Sequence, residues 1–204
     1  MIYKKAWKYI LKHTQGPLNR IKAVKDFSNV SKDDIGGYVS GYHSLSQTGN
    51  CWVYDSAKVC EFAKVTENAM IYGNVRIFND AIVTDNAQIY GNAELYDEAV
   101  VSGNAIVSED AMISDKARIF EHAQISGNVI ISGLTSVTGN ARVSGNAHIS
   151  DKAKVCDNAV VKDNAKVYDN AEVSGDAIIK DNAIIRGNAK ISGNTCCDRA
   201  RIWL

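Results

Sequence analysis

The 204-residue sequence predicts an all-β solenoid, a chain wound into stacked coils of short strands, and three observations predict it. Alanine recurs every six residues from Ala57 to Ala189, with Val75, Val129 and Thr135 filling the gaps. Two positions after each of these comes Val or Ile, with Leu95 the sole exception; two further on comes Gly, Asp, Glu or Asn. From Ala57 to Asn194, 138 residues fall into 23 hexads without an insertion or deletion. A fixed short period of this kind is the signature of a repeat architecture.

The elements follow in chain order. Residues 1–44 obey a different rule and read as an N-terminal cap. Ile2, Tyr3, Trp7, Ile10 and Leu11 lie at helical spacing among lysines, so a helix is expected there, ended by Gly16-Pro17. Ile21, Ala23, Val24 and Phe27 suggest a short extended piece. From Met1 to Asp34 eight basic residues face three acids, a head of about +5 that leaves about −5 elsewhere. Such a stretch can serve a membrane surface or RNA, but a solenoid needs a polar-faced terminal unit, and capping is the preferred reading.

The solenoid itself is expected over residues 45–204. Leu45–Asn50 and Cys51–Ser56 are degenerate hexads that lead into the regular array. Six is divisible by two and poorly matched to 3.6, so the two apolar slots of each hexad put both side chains on one face of a short strand. Val and Ile suit a packed pleated surface, and Ala stands where the interior is narrow. Gly, Asp and Asn supply the corner, because they tolerate positive φ or bond to their own backbone. After Asn194 the register slips: Thr195 and Cys197 hold the apolar slots, and Ala200-Arg201-Ile202 restarts one residue early. Residues 195–204 are therefore expected to cap the far end, with Trp203-Leu204 over the last coil.

This unbroken array resembles the hexapeptide-repeat proteins, which are left-handed parallel β-helices. The resemblance covers about two thirds of the chain and implies three hexads per triangular 18-residue coil. On that basis the chain makes about eight coils, stacked into a prism of roughly 35 to 40 Å. A second resemblance lies in Ala23–Ala57. Its Asp-Phe, Gly-Gly-Tyr-Val, Leu-Ser-Gln and Cys-Trp-Val-Tyr-Asp elements look like the entry segment of the YdcK-like bacterial and phage β-helical proteins. It implies a family and a connection with phage or prophage, without a mechanism.

Composition excludes several classes of function. Lys plus Arg and Asp plus Glu both number 23, so no net charge steers the chain to nucleic acid or to an anionic membrane. There is no apolar run of transmembrane length and no signal-peptide pattern, so a cytoplasmic protein is expected. Five cysteines without CxxC spacing argue against a disulfide framework and a zinc site. No metal cluster is expected, and the many Gly-Asn pairs belong to corners rather than to a phosphate loop.

Many proteins of the resembled class are acyltransferases in which a His acts as base and a loop closes over acyl-CoA. Here the histidines are His13 and His43 in the head, His122 at a corner and His148 in an outward slot, and no loop interrupts the hexads. His122 and His148 are the weak catalytic candidates of that alternative, with acyl-CoA as its cofactor and active sites between subunits. The favoured reading has no cofactor. With an 18-residue coil, Tyr54, Tyr72 and Tyr90 stack in one outward column beside Trp52 and Met70, and Phe78 and Tyr96 stack on the next face. An exposed aromatic patch marks a partner surface unless the head folds back over it. The sequence reading is thus a non-catalytic scaffold or binding protein, a homo-oligomer with a trimer favoured, with these residues also open to a further protein partner.

Overall fold

The computed structural model describes residues 7–203 and shows an all-β protein, with no helix among them. Stacked parallel coils form a solenoid of about nine turns. Within the regular array each short strand pairs in parallel with the strands eighteen residues before and after it, as Gln88 does with Met70 and Ile106. Three hexads therefore close one turn. The coils are held by backbone bonds along the axis, in which an outward residue donates its N–H to the carbonyl seventeen residues on, such as Lys58 to Val75 at 2.9 Å and Met70 to Ala87 at 3.0 Å.

Three sheets result. One has nine strands and one has eight; the third has twelve because three strands of the head extend it. The nine-stranded sheet exceeds the eight coils expected because both irregular ends join it, with Trp52–Val53 at one edge and Cys196–Asp198 at the other. Inside, the alanine and Val/Ile slots are fully buried from Ala57 to Ala189, with Thr135 at 1% exposure. This continuous apolar rod is the core.

The corners follow one rule. All 23 fifth positions of the hexads have positive φ, and 13 of them are not glycine. Asp and Glu dominate because the carboxylate repays the cost of that conformation. Asp85 accepts the N–H of Gly103 at 2.8 Å, Asp157 that of Gly175 at 2.9 Å and Asp163 that of Asp181 at 3.1 Å, each stitching one coil to the next. The following slot carries amide ladders, as in Asn68 to Asn86 to Asn104, at 3.1 and 3.2 Å.

The head departs from expectation. Ile2 and Tyr3 lie outside the described residues, but the predicted helix is replaced by strand β1 (Tyr9–His13), joined through Gly16-Pro17 to β2 (Asn19–Ala23) in antiparallel register. The reason is the neighbouring sheet. A few residues of amphipathic helix are marginal alone, whereas β2 finds a partner in β3 (Ile35–Val39), which pairs in parallel with Lys58–Val59 of the first coil. Gly36 and Gly37 permit this approach, since a Cβ on either would lie 2.5 Å from a backbone oxygen, that of Val53 or Ala57. Tyr9, Ile21 and Val30 then plug the N-terminal end of the core.

The far end also departs. Strand Arg201–Trp203 pairs with Ile184–Arg186 at a spacing of seventeen, so the one-residue slip is real. It places Ile202 opposite buried Ile185 and turns Trp203 outward. Trp203 is 57% exposed and lies with the Arg186 guanidinium 5.1 Å over its ring, so it does not cover the last coil. Leu204 is outside the described residues.

Candidate functional site

The aromatic columns form as the repeat dictates, because fourth-position side chains point outward and recur at the coil spacing. Tyr54 and Tyr72 stack with centroids 4.4 Å apart and planes at 11°, and Phe78 and Tyr96 stack at 5.3 Å and 10°. Tyr90 is 42% exposed at the end of its column, with half-buried Met70 and Ile106 beside it. These residues share a surface on two adjoining faces of the prism.

Trp52 does not belong to that surface. It is buried, with edge-to-face contacts to Phe27 at 5.4 Å and Tyr9 at 6.2 Å. The head therefore covers the start of the column and leaves the rest open. Tyr54 sits at the boundary: its hydroxyl donates to Asn29 Oδ1 at 2.7 Å, and burial, followed by the neighbouring Tyr72, pushes its pKa up to about 12.

The candidate histidines are not brought together. His122 is exposed at a corner, in the slot where Asn104 and Asn140 belong to amide ladders on either side of it. His148 lies on a different face, between Ile130 and Lys166. In the head, the His43 ring bonds to the Glu61 carbonyl at 2.7 Å, and His13 is exposed at the end of β1. Among the described residues no group of three or more His, Cys, Asp or Glu is placed to hold a metal ion. No described helix is long and apolar enough to cross a membrane.

The sequence reading missed two features. Phe62 (69% exposed) and Leu134 (55%) protrude from sixth-position corner slots otherwise rich in Asn, and that departure from the repeat was the available signal. More consequential is a cluster where the head meets the first coil. The Lys8 ammonium is buried, 2.9 Å from the Cys51 carbonyl, 3.4 Å from those of Thr48 and Gly49, and 3.3 Å from Cys51 Sγ. The Phe27 ring lies 5.2 Å away. Among the described residues no carboxylate forms an ion pair with it, and burial holds its pKa below the usual lysine value while raising that of the Cys51 thiol. A cavity of about 660 Å³ opens beside it, lined by Trp7, Lys25, Phe27 and Gln47 among others. The only sequence cue was a cysteine in an alanine slot.

Comparison with protein-family models and with curated proteins returns no match for this chain.

Proposed function

We propose that this protein is a non-catalytic β-helical scaffold that assembles with copies of itself, as a trimer, and uses the open part of its aromatic face for that assembly or to hold a protein partner. The observation that carries the reading is the Tyr54–Tyr72 stack with Tyr90 one coil further along the same outward column, 42% exposed while the head covers Trp52. Large rings held in register by a rigid sheet lose little conformational freedom on binding, which favours a flat macromolecular contact. Packing flat faces about a threefold axis would satisfy all copies equivalently.

The left-handed hexapeptide-repeat class and the YdcK-like entry segment support the same reading at finer grain. The repeat from Ala57 to Asn194 and the Gly36-Gly37-Tyr38-Val39 element carry those resemblances. They favour a cytoplasmic protein of phage or prophage origin acting on a host component. The test is the double substitution Tyr72→Ser, Tyr90→Ser, read by light scattering after size exclusion. Loss of the oligomer or of a co-purifying protein, with the far-UV spectrum retained, is expected; an unchanged assembly and unchanged partner binding would overturn the reading.

A further inference from the structure

The Lys8–Cys51 cluster is chemically unlike the rest of the molecule. A buried ammonium without a carboxylate is costly, and three backbone carbonyls are its compensation. Cys51 occupies a slot that Ala fills in most other hexads, so the sulfur is not needed for packing. Nitrogen and sulfur are already 3.3 Å apart, on segments 43 residues apart in sequence, one in the head and one in the first coil.

We propose that Lys8 and Cys51 are a covalent modification site, where a peroxide joins the head to the solenoid through a reversible sulfur–nitrogen bond. In the first step the Cys51 sulfur attacks hydrogen peroxide. An S–O bond forms, the O–O bond breaks, and one water leaves, giving the sulfenic acid. In the second, the neutral Lys8 amine attacks that sulfur; the S–N bond forms, the S–O bond breaks, and the departing hydroxide takes the amine proton as a second water. One thiol, one amine and one peroxide thus yield a sulfenamide and two waters, and the protein loses two hydrogens. Sulfenic acids are known to condense with nitrogen in this way. Burial eases the loss of the Lys8 proton that the second step needs, and the adjacent cavity gives a water-sized oxidant its approach. The raised pKa of Cys51 makes the first step slow, which suits a lock that closes under sustained oxidation.

The full-length protein is exposed to hydrogen peroxide, unfolded, alkylated, digested and mapped by mass spectrometry. The expected product is the Lys8 peptide joined to the Cys51 peptide with a mass two hydrogens below their sum. It should be released by dithiothreitol, and the melting temperature should rise on oxidation. Exposed Cys196 reports that oxidant was delivered. Cys51→Ala restores the residue usual in that slot, so it should fold and show neither the linked peptide nor the rise. Cys51 recovered as an alkylated free thiol, or as a sulfinic acid with Lys8 unmodified, while Cys196 is oxidised, would overturn the proposal.

Discussion

At the scale of the residue, the corner aspartates do two things that can be separated. Asp157 adopts φ of 59° and accepts the N–H of Gly175 at 2.9 Å. Asp157→Gly removes the acceptor and relieves the conformation, whereas Asp157→Ala removes the acceptor and keeps the strain. Denaturant unfolding should show the alanine variant less stable than the glycine one by about 1 kcal/mol. Thr135 offers the opposite case. It sits in an alanine slot with its hydroxyl buried and unbonded, so Thr135→Val, a residue found in the same slot at Val75 and Val129, should stabilise the protein by about 1 kcal/mol. Both features were visible in the sequence as slots; what was not visible was the acceptor role of the carboxylate, because it depends on a partner eighteen residues away.

At the scale of the element, the head is where sequence and structure part. Trp7, Ile10 and Leu11 fit a helical stripe, but periodicity over so few residues cannot compete with an open sheet edge, and β1 and β2 form instead. Nor could spacing show that Trp52 would be covered, since that needs Phe27 and Tyr9 brought over it from far along the chain. The close approach through Gly37 predicts that Gly37→Ala, with its Cβ driven towards the Ala57 oxygen, should cost about 1–3 kcal/mol and loosen the head first, as seen by hydrogen exchange at Tyr9 and Ile21. The head should also be sensitive to alkali. Burial holds the Tyr9 hydroxyl and the Cys51 thiol protonated above their ordinary values of 10.0 and 9.0, so the native state keeps protons that the unfolded chain releases. Stability is therefore lost as pH rises past about 9. Lys8 acts in the opposite sense, because its lowered pKa makes the native state shed a proton early and gain stability as pH climbs towards 10.5. The Lys8 gain is complete by pH 10.5, so head docking should weaken above that pH, where only the Tyr9 and Cys51 losses continue, and Tyr9→Phe should flatten that slope in a pH series of thermal melts.

At the scale of the whole molecule, the solenoid was legible because every coil repeats the same local instruction, and nine turns amplify a weak signal into an unbroken register. The site was legible only in part. Stacking at eighteen residues gives the Tyr54, Tyr72 and Tyr90 column directly, but which of its members stay open depends on the head, and Lys8 with Cys51 meets only after the head has folded. An array of identical rungs with one plugged end and an aromatic stripe is suited to holding other chains at fixed spacing. Native mass spectrometry of the gently purified protein, set against the 22.2 kDa chain and repeated on the Tyr72→Ser, Tyr90→Ser variant, tests this most directly. A bare trimer, or an oligomer carrying a protein, that falls to monomer in the variant is the predicted result. An oligomer that survives the substitutions and retains a small acyl-carrier molecule such as CoA would contradict it.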